Sequence, residues 1–263
     1  MKELGIIIPM HEFGKENIEL LNKAVDSIPE GLPICLSVPK GTTPAKIKGS
    51  SPRVAMVVSA DDDTSFAGLV ENGVRAFANN PDVKWFSILE FDDTYTPIWL
   101  DNVKRYIDFM PDTSVFMFLE DITDFNDGKY IGFGNEAAWA SAFSNEIGFI
   151  DLDCLQNYFD FYLTGSVFNL KDWLEVGGLK SSIKITFWYE WLLRATNKGK
   201  KVFVIPKVGY NHTLGRQGSL VEQYKADIDR EESQWWFDLA KREYFYKEDR
   251  KKEYDPTIPG TEE

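Results

Sequence analysis

The stretch Val83-Lys84-Trp85-Phe86-Ser87-Ile88-Leu89-Glu90-Phe91-Asp92-Asp93 joins an apolar run directly to three carboxylates. Apolar runs that do not alternate with polar residues are typical of buried strands in α/β sheets, so residues 83–89 predict such a strand. The charges of Glu90, Asp92 and Asp93 are expected at its carboxyl end, where open α/β sheets bind ligands. Oxygen donors at i and i+2 can share a hard divalent cation that also holds a diphosphate. The alternative is a solvated acidic turn before a helix near Pro97.

Strand-like and helix-like patterns alternate through the first half of the chain. The predicted strands lie at residues 4–8, 33–38, 54–58 and 115–119, and the predicted helices at 17–28, 64–78 and 97–109. Strands separated by helices pair in parallel through right-handed crossovers. The sequence therefore predicts an α/β fold with a Rossmann-like, mostly parallel sheet flanked by helices.

The second half of the chain is less regular. Its patterns predict a hairpin or loop at 124–135, helices at 171–176 and 187–197 that end at glycines, a strand at 202–205, and a long helix at 220–246. Neither a repeat nor a linker is apparent. We expect one domain over 1–247, made of halves 1–120 and 121–220 and a C-terminal helix 221–247, followed by a charged tail 248–263.

Composition narrows the class of protein. The 263 residues carry a net charge of −13, which opposes non-specific binding to nucleic acid or anionic lipid. Basic residues cluster between Lys40 and Arg53, either as a local basic groove or as a solvated loop. No apolar run reaches the roughly 18 residues of a membrane span, and the N-terminal residues lead into a strand without a signal-peptide pattern. Cys35 and Cys154 have apolar neighbours and no metal-type spacing. We expect a cytoplasmic protein, in a host cytoplasm if a phage encodes it.

The order of the segments resembles the family 2-like glycosyltransferases, which have the nucleotide-sugar-binding GT-A fold. In the first half the matching segments are Gly5-Ile6-Ile7-Ile8-Pro9, the helix Phe66–Ala78 with Glu71-Asn72-Gly73, and Glu90-Phe91-Asp92-Asp93 followed by Thr96-Pro97 and Leu100. The last of these is similar to the family's Asp-x-Asp element.

The second half continues the resemblance, which covers roughly residues 4–220. The segments similar to the acceptor side, the catalytic helix, the last strand and the closing loop are Thr164-Gly165-Ser166-Val167-Phe168 with Val176-Gly177-Gly178-Leu179, then Tyr189–Arg194, Gly199–Val204, Gly209-Tyr210-Asn211-His212 and Arg216-x-x-Ser219. This half also resembles transferases of bacteriophages and bacteria.

The resemblance implies a nucleotide-sugar site, a metal site and an acceptor side. Nucleotide-sugar contacts are expected from Pro9, His11, Glu12, Asp61, Asn72, Glu90, Phe91, Arg216 and Ser219. Metal ligands for Mn²⁺ or Mg²⁺ are expected from Glu90, Asp92, Asp93 and His212. Acceptor contacts are expected from Thr164, Gly165, Ser166, Trp188 and Trp191, although tryptophans on a helix also fit a hydrophobic core.

Glu190 is the expected general base, because its neighbours Tyr189 and Trp191 would exclude water and raise its pKa. The alternative is an ion pair with Arg194 at i+4. The chain departs from the family pattern at residues 38–41, Val-Pro-Lys-Gly, where the family has an acidic turn. An aspartate of 61–63 is expected to replace it; the alternative is that the three aspartates form a cluster at the start of a helix. The catalytic helix also has no Glu-Asp pair.

The leading hypothesis is a metal-dependent, inverting glycosyltransferase that moves a sugar from a nucleotide sugar, favouring a UDP-sugar, to a hydroxyl. The acceptor is a glycan, a protein or a hydroxymethylated base of phage DNA. The alternative is a catalytically inactive binding or structural protein with the same fold. A nucleotidyltransferase ranks third, because the first strand is not followed by a glycine-rich basic signature.

Overall fold

The computed structural model describes residues 3–43, 45–54, 56–60, 63–143, 146–227, 234–236 and 238–239. The first half forms β1 (Leu4–Pro9), α1 (Lys15–Ser27), β2 (Ile34–Pro39), β3 (Met56–Ala60), α2 (Phe66–Ala78), β4 (Trp85–Ile88), β5 (Thr94–Tyr95), α3 (Trp99–Phe109) and β6 (Val115–Asp124). The second half forms β7 (Tyr130–Gly134), a 3₁₀ turn (Glu136–Trp139), β8 (Phe149–Ile150), α4 (Leu152–Asn157), β9 (Val167–Asn169), α5 (Leu170–Val176), α6 (Phe187–Asn197), β10 (Val202–Leu214) and α7 (Leu220–Asp227).

Ten strands of the described residues form one sheet. Eight follow the order β3-β2-β1-β4-β9-β6-β10-β5, while β7 pairs with β6 and β8 with β10. The strands β3, β2, β1 and β4 are parallel, as are β6 and β10, and β9 lies between these two groups antiparallel to both neighbours. The predicted α/β fold with a mostly parallel sheet flanked by helices is confirmed.

The strand that begins the Val83–Asp93 stretch is one of the central strands of the sheet. Trp85, Phe86 and Ile88 are buried, and β4 pairs with β1 on one side and β9 on the other. The chain leaves the sheet immediately after this strand, so Glu90–Asp93 lies at the carboxyl edge. This is the position that the sequence predicts for the three carboxylates.

Helix α2 packs closely on the sheet because glycines remove side-chain bulk at the contact. A Cβ on Gly73 would lie 2.5 Å from Cγ2 of Ile7, and one on Gly5 would lie 2.5 Å from the ring of Phe77. The apolar side chains of the sheet and its helices form two buried clusters. They hold the carboxyl edge of the sheet in place by close packing.

Two strands are longer than the sequence predicts. Strand β6 continues beyond residue 119 to Asp124, and β10 continues beyond residue 205 to Leu214. The extensions pair with each other in parallel after a bulge at Val208. Their polar residues do not have the pattern of a buried strand, but backbone pairing carries them past the core to the rim where the site lies.

The C-terminal segment is described only in part. Helix α7 begins at the predicted position and is described to Asp227, and the predicted tail 248–263 lies outside the described residues. In the part of the chain that the structure describes, no helix is both long and apolar enough to cross a membrane.

Candidate functional site

Three predicted metal ligands come together at the carboxyl edge of the sheet. Glu90, Asp93 and His212 each offer a ligand atom, and these atoms lie within 4.8 Å of one another. Nδ1 of His212 lies 3.1 Å from Oδ2 of Asp93, and the backbone N–H of Thr213 donates to Oδ1 of Asp93 at 2.8 Å. The pairing of β10 with β5, which directly follows Asp93, brings residues 119 positions apart into contact.

Burial and the neighbouring charges together set the pKa values of this cluster. Burial, together with the charges of Asp93 and Asp92, raises the pKa of Glu90 to about 8. Burial alone would lower the pKa of His212, but the carboxylates of Asp93, Glu120 and Glu90 outweigh it and hold the pKa at about 10. Carboxylate oxygens and an imidazole nitrogen are donors that Mn²⁺ and Mg²⁺ accept. The donor set therefore fits a divalent cation, which would replace the protons that the cluster otherwise holds.

Asp92, which we expected among the metal ligands, faces Arg216 instead. Nε of Arg216 donates to Oδ2 of Asp92 at 2.6 Å, and its Nη1 donates to Oε2 of Glu12 at 2.8 Å. The guanidinium lies over the ring of Phe91, 4.9 Å from the centroid, and the ring of His11 meets Phe91 edge-on. The two consecutive aspartates therefore have different partners: Asp93 contacts His212, and Asp92 accepts a hydrogen bond from Arg216.

A cavity of about 430 Å³ opens over these groups. The predicted site residues that line it are Pro9, His11, Glu90, Phe91, Asp92, Thr164, Trp188, His212, Arg216 and Ser219. Ser219 also caps α7, since its hydroxyl accepts from the backbone N–H of Glu222 at 3.2 Å. Most of the predicted nucleotide, metal and acceptor residues thus share one cavity.

Several predicted site residues lie behind the cavity wall. The amide of Asn72 donates to the hydroxyl of Ser37 at 3.4 Å, away from the cluster. Trp191 is buried, stacks on Trp173 and belongs to the core. Gly165 has a positive φ of 75°, and a Cβ there would lie 2.3 Å from the ring of Tyr210, so it shapes the wall. Ser166 is also buried, and Asp61 lies outside the described residues.

Glu190 is not placed as a general base would be. Its side chain is 0% exposed, and it is not among the described residues that line the cavity. Nε and Nη2 of Arg194 donate to its two carboxylate oxygens at 2.7 and 2.8 Å, and Nζ of Lys180 lies 2.6 Å from Oε1. Arg194 also donates to the carbonyl oxygens of residues 176–178. The structure thus contains the ion pair with Arg194 that the sequence analysis gave as the alternative, and this pair links α6 to the loop after α5.

The cavity includes residues that sequence reasoning did not select. Asp160, Tyr162 and Lys184 line it, as do aromatic side chains of the loop after α4 and of the start of α6. Glu120 lies beneath, and burial raises its pKa to about 8. The sequence does contain a pattern that could have identified Glu120. An apolar run at 115–119 precedes Glu120-Asp121, in the same way that the apolar run at 83–89 precedes Glu90. By contrast, no local pattern distinguishes Asp160.

The basic segment 40–53 does not form one groove. The guanidinium of Arg53 donates to the carbonyl oxygens of Val25, Ile28 and Pro29, so it closes the end of α1. Lys46 and Lys48 line an open groove of about 730 Å³ along α1. Lys46 lies over the ring of Phe13 there.

The comparisons with known proteins identify the fold. No protein-family model matches the chain, and no curated protein matches it. The structure of S. aureus TarS 1–349 in complex with UDP-GlcNAc matches with a TM-score of 0.59 at 12% identity, over 84% of this chain and 61% of that chain. The complex with UDP matches with a TM-score of 0.58 at 12% identity, over 89% and 68%.

A third structure, TarS 1–349 alone, matches with a TM-score of 0.57 at 12% identity, over 81% of this chain and 60% of that chain. The chain thus spans about 60% of the length of that TarS structure. At this identity the likeness shows the fold alone, and it agrees with the predicted GT-A-type sheet.

Proposed function

We propose that the chain is a family 2-like glycosyltransferase, of the bacterial or bacteriophage type, that uses a divalent cation and a UDP-sugar. The observation that carries the proposal is the meeting of Glu90, Asp93 and His212 at the carboxyl edge of the sheet, where Glu90, His212 and Arg216 line one cavity. TarS, which shares this fold, has been crystallised with UDP-GlcNAc and with UDP. The two buried free cysteines fit the cytoplasm, where we place the reaction.

The donor half of the cavity suits a nucleoside diphosphate. Glu90, Asp93 and His212 would hold Mn²⁺ or Mg²⁺, which would neutralise charge on the leaving diphosphate. Arg216 carries a planar cation that can bind diphosphate oxygens bidentately once Asp92 releases it. His11 lies at the end of β1, where its ring can contact the nucleobase.

The acceptor half supplies a carboxylate and aromatic surfaces. An inverting transfer needs a base for the proton of the acceptor hydroxyl. The carboxylates among the described lining residues are Glu90, Asp92 and Asp160. Glu90 belongs to the cation cluster and Asp92 pairs with Arg216, so we assign the base to Asp160 and a structural role to Glu190.

Aromatic rings favour a ring-shaped acceptor. Phe159, Phe161, Trp188 and Tyr189 line this part of the cavity, and aromatic faces suit the apolar face of a sugar ring. We therefore favour a glycan hydroxyl as acceptor. A protein side chain and a hydroxymethylated DNA base are the other acceptors to be screened.

Calorimetric binding of UDP-, GDP-, CMP- and dTDP-sugars, with and without Mn²⁺, tests the proposal. We expect one class, the UDP-sugars, to bind, and to bind more tightly with Mn²⁺. The His212→Ala variant should lose the Mn²⁺ dependence, while the control Glu30→Gln, an exposed residue after α1, should keep it. Nucleoside triphosphates are titrated after the sugar panel. Binding of triphosphates alone would favour a nucleotidyltransferase, and no binding of either set would favour an inactive binding protein.

Asp160→Asn tests the assigned base once an acceptor is found. The variant should bind the UDP-sugar like the wild type and lose transfer at least about hundredfold, because general bases contribute on this scale. Transfer at the wild-type rate would remove Asp160 from the assignment without affecting the donor site.

A further inference from the structure

Glu120 is a buried carboxylate for which the described residues offer no hydrogen-bond partner. It lies on β6, is 1% exposed, and neither of its carboxylate oxygens has a partner among the described residues. A carboxylate removed from water is costly unless a charge or a donor compensates for it. Unsatisfied groups of this kind are rare in folded proteins and often mark a missing ion or water.

The strand pairing places Glu120 beside the cation cluster. Glu120 is in register with Tyr210 on β10, two residues before His212. On its other side it is in register with Gly134, where a Cβ would lie 3.4 Å from Cβ of Glu120 and 3.2 Å from the ring of Tyr162. The ring of Tyr162 in turn packs against His212, with centroids 5.3 Å apart.

The charges around Glu120 are those of the same cluster. The groups that act on Glu120 electrostatically are His212, Asp93 and Glu90, and Glu120 acts on His212 in return. Asp92 faces Arg216, so the cluster itself holds only two carboxylates. A dication with two carboxylates and a neutral imidazole is just neutralised, and a third carboxylate makes the site net negative.

We propose that Glu120 supplies the third carboxylate charge that holds a divalent cation at Glu90, Asp93 and His212. This inference rests on the proposed function and adds a residue to its cation site. It gives a reason for the buried carboxylate that the described residues leave unpaired: the charge of the cation compensates for it. The same residue therefore weakens the cation-free protein and strengthens cation binding.

These two effects have opposite signs and can be measured separately on the full chain. Binding of Mn²⁺ alone is followed at pH 8 through the electron paramagnetic resonance signal of free Mn²⁺, without nucleotide. Thermal unfolding is recorded in EDTA. Glu120→Gln should weaken Mn²⁺ binding at least tenfold and raise the midpoint in EDTA by a few degrees. Glu136→Gln, the same change at an exposed nearby residue, should alter the affinity less than twofold.

The outcomes separate this inference from the function on which it rests. Glu120→Gln with wild-type Mn²⁺ affinity would overturn the role of Glu120 while leaving the cation site intact. A wild type that binds no Mn²⁺ would overturn both the site and this inference, and UDP-sugar binding without metal would then show whether donor binding survives.

If Glu120→Gln does not fold, judged by near-ultraviolet circular dichroism, Glu120→Asp replaces it. This variant retains the charge one methylene shorter and should bind Mn²⁺ more tightly than Glu120→Ala; equal affinities would overturn the inference.

Discussion

In the Glu190→Gln variant an amide replaces a carboxylate that is 0% exposed and bound by two cations. The glutamine can still accept a hydrogen bond through its carbonyl oxygen, but its NH₂ group meets a donor of Arg194 or Lys180. Arg194 or Lys180 therefore loses part of the negative charge and one of the hydrogen-bond acceptors that it has in the wild type. Arg194 also donates to three backbone carbonyls after α5, so the change is transmitted to the loop that α6 holds.

The expected cost follows from this geometry. Removing one partner of a buried, hydrogen-bonded ion pair costs about 3–5 kcal/mol, and the glutamine keeps one acceptor, so we take the lower end, about 3 kcal/mol. A domain of about 150–250 residues loses roughly 2–4 °C of melting temperature for each kcal/mol. The midpoint should therefore fall by roughly 6–12 °C.

Thermal unfolding followed by circular dichroism measures this shift, and transfer is then assayed well below the midpoint of the variant. The matched control is Glu175→Gln, because Glu175 makes exposed ion pairs with Lys171 and Lys200. Exposed pairs of this kind contribute about 0–1 kcal/mol. We expect the large shift only at Glu190, with turnover per folded molecule within a few-fold of the wild type.

A catalytic role for Glu190 predicts the opposite pattern. If Glu190→Gln melts within 2 °C of the wild type and loses transfer more than about hundredfold at a temperature where it is folded, Glu190 is the general base. The ion pairs of Glu190 with Arg194 and Lys180 would then exist only in the protein without substrate and would break during transfer.

The cation cluster, Gly165 beside Tyr210, and Arg216 can each be tested by one further measurement. The pKa values of Glu90 and His212 are raised to about 8 and about 10 in the cation-free protein, so both hold protons at pH 6 that a cation must displace. Titration of Mn²⁺ by calorimetry should therefore give an affinity that rises from pH 6 to pH 8; a flat profile would contradict the proton displacement. Gly165→Ala should lower the melting temperature, because its φ is 75° and the new Cβ would lie 2.3 Å from the ring of Tyr210; an unchanged midpoint would show that the loop adapts. Arg216→Lys should weaken UDP binding about tenfold in calorimetry, because a lysine cannot make bidentate contacts; wild-type affinity would exclude Arg216 from the diphosphate site.

Much of the fold follows from local sequence patterns. The apolar run ending at Leu89 marks a central strand, and helical spacing locates α1, α2, α3 and α6 to within a few residues. A strand that ends in carboxylates also predicts where the site lies, since charges must leave the sheet at its edge. Local periodicity encodes burial, and burial defines the elements.

Which carboxylate does what depends on contacts that no local pattern contains. Asp92 and Asp93 are neighbours in sequence, yet one meets Arg216 and the other His212, because β5 and β10 pair and a turn brings Arg216 back. From sequence alone, Glu190 could be a base or an ion-pair partner. The ion pair with Arg194 forms in the structure because the carbonyls of residues 176–178 orient the guanidinium, and no local pattern contains those contacts.

Glu120 shows the same limit, since its surroundings come from the pairing of β6 with a strand about ninety residues later. Local sequence patterns are enough to predict the layers, most of the elements and the edge at which charges emerge, because these depend on periodicity and burial over short segments. Which buried charges are compensated follows from the folded structure, because compensation depends on the distances between groups that distant segments bring together.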